Sequence, residues 1–195
     1  MILYHYSVDS YQGGGKLIPD FKNNFRFAEP FLLALEKDEG CFWSVYYAAM
    51  AYSRELCALG LRKHENYVKD AAEGIFEWVR RHRFPNGSVS RIGCVFYCES
   101  IEEAISYLRD DCIESGDYTY GQVKLLEADV EDSRVFRYDQ TFFNRAVDAL
   151  ERGRELAPVT ALAGSYYAME RSDEPCIEVL SDGKNRVVRE LPIRP

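Results

Sequence analysis

The sequence predicts an α+β fold on three observations. Strand-like segments stand at both ends of the chain, helical periodicity fills most of the interval between them, and the composition is that of a globular protein. With 195 residues, 47% of them hydrophobic and 29% charged, the chain has the size of one compact domain, 1–195, able to bury a core without disulfides or a structural metal. The terminal strands are expected to join one mixed, split β-sheet, with the helices inserted between its strands.

Residues 2–6 (ILYHY) read as a short strand, ended by polar residues and the run Gly13 to Gly15. Three glycines free the backbone from the steric limits of a Cβ, which suits either a loop that a ligand can approach or a flexible turn. Between 27 and 83 the pattern is helical in three pieces, about 29–36, 41–59 and 65–82. In the last, Tyr67, Ala71, Ile75, Trp78 and Val79 recur at spacings of three and four, the stripe of an amphipathic helix. Phe84-Pro85-Asn86-Gly87 stops it, because proline restricts the residue before it and Asn-Gly favours a turn.

Residues 91–98 (RIGCVFYC) read as a strand. Ser100 followed by Glu103 is a capping-box signature, and Ala104, Ile105, Leu108 and Cys112 continue it as a helix. Residues 122–130 return to a strand, about 140–154 to a helix and 159–169 to another. The ending, 176–180 and 186–191, reads as two strands joined by a turn at 181–185.

A net charge of −8 favours solubility and weighs against a surface that wraps DNA or anionic lipid. No apolar run approaches the roughly 18 residues of a membrane span, and the opening residues lack the basic and apolar regions of a secretion signal. A cytoplasmic setting follows as an expectation, with the six cysteines (Cys41, Cys57, Cys94, Cys98, Cys112, Cys176) as reduced, mostly buried thiols.

No metal is expected. Cys94 and Cys98 lie four apart on a predicted strand, roughly 13 Å between α-carbons, and His64 and His82 on or beside one predicted helix are about 27 Å apart. A cysteine nucleophile is a second possibility, because Cys41 stands where a long helix begins and a helix N-terminus lowers a thiol pKa. Its partner base is missing: His64 and His82 fall on the following helix, and His5 would serve only if its strand docks there. A buried packing cysteine is the plainer reading.

A dispersed set remains: Leu3-Tyr4-His5 on the first strand, Ser90-Arg91, then Val95-Phe96-Tyr97-Cys98-Glu99-Ser100 leading into the helix with Ala104, and Ile177-Glu178-Val179-Leu180 near the end. In order and spacing this set resembles the ADP-ribosyltransferase superfamily. There the first strand often reads Leu-Tyr-His, a middle strand carries Val-Tyr or Val-Phe, and in the DNA-targeting toxins the catalytic glutamate sits in a late strand similar to 177–180. The resemblance implies an ADP-ribosyltransferase-like fold and an NAD-dependent activity. ADP-ribose would pass to a macromolecular acceptor, protein or nucleic acid, or to water, without a metal. Similar modules act as toxins, effectors and modification enzymes.

By that resemblance Glu178 would hold a ribose hydroxyl and stabilise the positive charge that develops as the nicotinamide bond breaks, as in glycoside cleavage. His5 would bond the other ribose, with Tyr4 and Ser7 on the same strand as further contacts to NAD. Phe96 or Tyr97 would stack on nicotinamide, and Arg91 would neutralise pyrophosphate or assist at the acceptor. Strand alternation puts His5 with Leu3 and Ser7, and lets only one of Phe96 and Tyr97 face a ligand. Phe96 falls at the superfamily's usual tyrosine.

Each residue also has a structural explanation: His5 as a core histidine, Phe96 as plain core, Arg91 and Glu178 as solvated strand-edge residues. Glu127, Asp129, Glu131 and Asp132 compete as acids. Arg80, Arg81 and Arg83 are either phosphate contacts or a solvated helix end favoured by the macrodipole. A non-catalytic binding protein that keeps the fold and a cysteine hydrolase on Cys41 are the alternatives in function.

Overall fold

The computed structural model describes residues 1–7, 15–18, 21–62, 65–153 and 155–193, with the backbone alone for 21–25 and 111. Gly13, Gly14 and His64, which the sequence singles out, lie outside the described residues. The expected combination of helix and sheet is present. The elements in order are β1 (Ile2–Ser7), α1 (Phe21–Leu35), α2 (Glu39–Ala58), α3 (Tyr67–Arg83), β2 (Val95–Tyr97), α4 (Ile101–Leu108), β3 (Lys124–Val130), β4 (Val135–Asp139), α5 (Gln140–Arg152), α6 (Leu156–Tyr167), β5 (Ile177–Ser181) and β6 (Asn185–Leu191). Among the described residues no helix is long and apolar enough to cross a membrane.

The chain forms two compact units, each assembled from segments distant in sequence. The first comprises Met1–Pro19, Cys94–Arg137 and Glu178–Pro195, the second Asp20–Gly93 and Tyr138–Ile177.

Two three-stranded sheets organise the strands, in the orders β1-β3-β6 and β2-β5-β4. In the first, β3 is central and both chain-terminal strands pair with it, Leu3 opposite Ala128 and Leu126 opposite Glu190. The terminal strands thus share a sheet, as expected. In the second, Val95 faces Ser181, Phe96 faces Leu180 and Tyr97 faces Val179. Among the described residues a single bridge links the sheets: the Tyr4 N–H donates to the Cys98 carbonyl at 3.0 Å and the Cys98 N–H to the Tyr4 carbonyl at 2.7 Å.

Two expectations are corrected. The sheets are antiparallel rather than mixed; β4 also runs against β5, with the Gln140 N–H on the Cys176 carbonyl at one end and Arg134 on Asp182 at the other. The two closing strands are joined by a turn, as expected, and that turn carries the chain from one sheet to the other, β5 and β6 belonging to different sheets. Residues 91–98 are not one strand. Arg91–Gly93 forms a 3-10 turn and only Val95–Tyr97 is extended, because Arg91 is drawn into a buried ion pair described below.

Inside the first unit, Leu3, Val95, Tyr97, Ala128, Val130 and Val179 form one apolar cluster. Another, built on Cys98, Ala104 and Leu125, also takes in Tyr4 and Ile101. The helix that covers it starts as the sequence indicates. The Ser100 hydroxyl accepts from the Glu103 N–H at 3.1 Å, and the Glu103 carboxylate accepts from the Glu99 N–H at 3.0 Å. Beyond Leu108 the helix widens into a π turn, Arg109–Glu114, which still buries Cys112.

The second unit is helical. Helices α1 and α3 meet at Gly74, where a Cβ would stand 2.8 Å from the Phe31 Cβ and 2.9 Å from the Ala28 carbonyl oxygen; any larger residue would push the helices apart. Phe76 meets Phe143 and Tyr166 edge to face, with centroids 5.1 and 5.2 Å apart, the arrangement that the aromatic quadrupole favours.

Candidate functional site

Of the residues singled out from the sequence, Tyr4, His5, Ser7, Phe96, Tyr97 and Glu178 fall in the first unit and Arg91 in the second. His5 projects from β1 with its Nδ1 2.8 Å from the Phe96 carbonyl oxygen. A carbonyl only accepts, so Nδ1 carries the proton. Burial pushes the His5 pKa below its ordinary value, partly offset by this hydrogen bond. The ring is therefore neutral near pH 7 and its Nε2 is an acceptor, suited to a hydroxyl.

The neighbouring aromatics divide as alternation requires. Phe96 is 37% exposed and Tyr97 4%, so Phe96 is the one whose face a flat ligand can reach. Tyr97, the other aromatic that the sequence offers for stacking, is buried. It packs among Leu3, Val95 and Val179, edge-on to the His5 ring with centroids 6.0 Å apart. Its hydroxyl has no hydrogen-bond partner among the described residues, and burial pushes the phenol pKa up.

Glu178 is only 7% exposed and stands on β5, the central strand of its sheet. This overturns the solvated-edge explanation, since a carboxylate is rarely buried in a sheet interior without a partner or a task. The register places it one position past the Tyr97–Val179 pair, across from Cys98. Tyr4, bridged to Cys98, belongs to the same row, whereas His5 belongs to the next row with Tyr97 and Val179. Adjacent rows point to opposite faces, so Glu178 and Phe96 share one face and His5 the other, and a ligand touching both His5 and Glu178 has to pass through the seam where the sheets part. Ser7 ends β1 opposite Lys124, half-buried and two residues beyond His5 on its face.

Arg91 is corrected from a strand-edge cation to a buried one, 5% exposed. Its Nε lies 3.1 Å from both Glu73 carboxylate oxygens, its Nη1 donates to the Tyr166 hydroxyl at 3.0 Å, and its guanidinium stacks 4.0 Å from the Phe143 ring centroid. Two members of the nearby basic cluster are likewise committed. Arg80 and Arg81 bond the buried Glu77 at 2.7 to 2.9 Å, with the Ser90 hydroxyl donating to it at 2.8 Å. Burial would raise the Glu77 pKa, but the bonds from Arg80 and Arg81 outweigh it and hold it low.

Cys41 sits in the first turn of α2, but Asp38 caps that turn. The Asp38 carboxylate accepts from the Cys41 N–H at 2.7 Å and from the thiol at 3.4 Å. The hydrogen bond to Asp38, with burial, pushes the thiol pKa up, the reverse of the lowering that a nucleophile needs. Among the competing acids, Glu127 is paired to Arg189 at 2.7 Å, and Glu131 accepts from Ser133 and the Lys184 N–H. Among the described residues no group of three or more His, Cys, Asp or Glu side chains is placed to hold a metal ion.

One polar hub escaped sequence reading. Asp139 is fully buried at the end of β4 and accepts from the N–H groups of Thr141, Ser172 and Cys176 at 2.7 to 3.1 Å. Burial works against the charged form, but these bonds bring its pKa to about 2. The local signal was the N-cap pattern of Asp139 before α5; its reach to Ser172 and Cys176 has none.

No protein-family model matches the chain, and no curated protein matches it.

Proposed function

We propose that the chain is an NAD-dependent ADP-ribosyltransferase that passes ADP-ribose to a macromolecular acceptor, protein or nucleic acid, and releases nicotinamide in the cytoplasm. The observations behind this reading are the neutral His5, fixed by the Phe96 carbonyl at the seam between the two sheets, and the accessible Phe96 ring and buried Glu178 carboxylate, which stand in the rows on either side of it and point to the opposite face.

His5 Nε2 accepts from a ribose hydroxyl of NAD, and the Phe96 ring stacks on nicotinamide. The bond between the ribose C1′ and the nicotinamide nitrogen breaks with its electron pair going to nicotinamide. Glu178 stabilises the cationic sugar that remains, as a carboxylate does in glycoside cleavage. The acceptor's lone pair then closes on C1′ and its proton leaves to solvent. Arg91 has no part in this scheme, being committed to Glu73 and Tyr166.

The test is nicotinamide release from NAD, alone and with acceptor preparations, alongside calorimetric titration with NAD. Glu178→Gln is expected to abolish release while keeping NAD affinity within a few fold, and His5→Ala to weaken NAD binding. Unchanged release in the Glu178 variant would refute the assignment. Absence of NAD binding at millimolar ligand would replace the enzyme with a binding protein of another specificity.

A further inference from the structure

The first unit forms a half-open pocket of about 240 Å³, lined by Lys16, Leu17, Val95, Ser181 and the turn from Asp182 to Asn185. Both lysine backbones are pinned. Lys16 lies between two anchored residues: the Asn185 side chain accepts from the Leu17 N–H at 2.7 Å and donates to its carbonyl at 3.0 Å, and the Gly15 carbonyl accepts from the Val187 N–H at 3.1 Å. Lys184 is held by Glu131, whose N–H donates to the Lys184 carbonyl at 2.9 Å. Neither ammonium group has an ion-pair partner among the described residues.

Among the described residues that line the pocket there is one carboxylate, and it is already neutralised. Both Asp182 oxygens accept from Arg134, at 2.8 and 2.6 Å. Gly183 allows this, since a Cβ there would stand 2.5 Å from the Arg134 Cβ. Ser181, 1% exposed, accepts from the Gly183 N–H at 3.1 Å, and its own proton has no acceptor among the described residues. Two unpaired cations and an unspent hydroxyl donor therefore meet at one concavity in a chain of net charge −8. That is a setting for an anion with several oxygens.

Position identifies the anion. Val95 lines the pocket, and the next residue, Phe96, gives its carbonyl to His5. Val95 shares a face with Tyr97 and so with the His5 ring, roughly 3–7 Å along β2. We infer that Lys16, Lys184 and Ser181 form a phosphate-binding site that takes the pyrophosphate of the dinucleotide whose ribose His5 holds. This identification of the ligand rests on the proposed function.

Calorimetric titrations of the full chain with NAD, with nicotinamide riboside and with inorganic pyrophosphate separate the two readings. Lys16→Gln and Lys184→Gln are each expected to weaken NAD binding about five- to tenfold, the range for a charge-assisted contact at a partly exposed site, with melting temperature and nicotinamide riboside affinity unchanged. The double variant is expected to flatten the salt dependence of NAD affinity. NAD binding that is equal in wild type and both variants, while His5→Ala weakens it, overturns the phosphate site and leaves the proposed function standing. Pyrophosphate binding that the double variant loses, with no NAD binding at all, supports the phosphate site and overturns the dinucleotide reading. Failure of all three ligands overturns both.

Discussion

Replacing Arg91 by methionine separates a structural from a ligand-binding role for this cation. The guanidinium is 5% exposed and its partner carboxylate, Glu73, 21%, so removing it strands an acid and the Tyr166 hydroxyl in a largely dry setting. Truncating one partner of a buried pair destabilises by about 3–5 kcal/mol, and the partial exposure of Glu73 argues for the lower end, about 3 kcal/mol. At roughly 2–4 °C per kcal/mol for a chain of this size, the melting temperature of Arg91→Met should fall by about 6–12 °C. The assay is thermal unfolding followed by circular dichroism. A Glu73→Gln, Arg91→Met double variant should recover part of the loss, because the stranded charge is gone. NAD affinity below the transition should stay at the wild-type value. A variant that melts within about 2 °C of wild type yet no longer binds NAD would refute this account and return Arg91 to the ligand.

Two further outcomes follow. Phe96→Ala should weaken NAD binding by about tenfold or more through lost stacking at little change in melting temperature, whereas Tyr97→Phe, which deletes a hydroxyl with no partner among the described residues, should melt no lower than wild type; a drop of more than about 5 °C would mean that the hydroxyl is bonded. Asp139, with a folded pKa of about 2 against an ordinary 3.8, stabilises the fold fully above the unfolded value, and that contribution disappears as pH falls through 3.8 toward 2. Urea unfolding of Asp139→Asn between pH 2 and 6 should show a shallower acid limb, and curves parallel to wild type across this window would contradict the hydrogen-bond account.

The helices were legible because their signals are local: the stripe from Tyr67 to Val79 and the Ser100–Glu103 cap each lie within a turn or two. The errors came where distant residues decide. The turn at 181–185 is a local signal, but the sheet that each flanking strand joins is set by partners far off in sequence, Tyr97 for Val179 and Ala128 for Val187. Strand β4, five residues reading VFRYD, lacks a clean alternation and went unseen. Arg91 extends an apolar run in sequence, and only the Glu73 carboxylate on α3 shows why the strand starts later.

For the candidate site, the order His5, Phe96, Glu178 was visible as a motif. That Phe96 rather than Tyr97 is accessible, and that His5 and Glu178 occupy neighbouring rows, depends on a register no local pattern encodes. Lys16 and Lys184 come from opposite ends of the sequence and meet only through Asn185.

The central position of β3 between β1 and β6 has a bearing on how the molecule is made. During synthesis β1 emerges first and waits, its hydrogen-bonding edge unmatched, until Lys124–Val130 has been translated; the other edge of β3 stays open until the last strand arrives. Such late, long-range closures slow folding and leave sticky edges exposed meanwhile. A nascent chain stalled before Asn185 is therefore the species most in need of a chaperone.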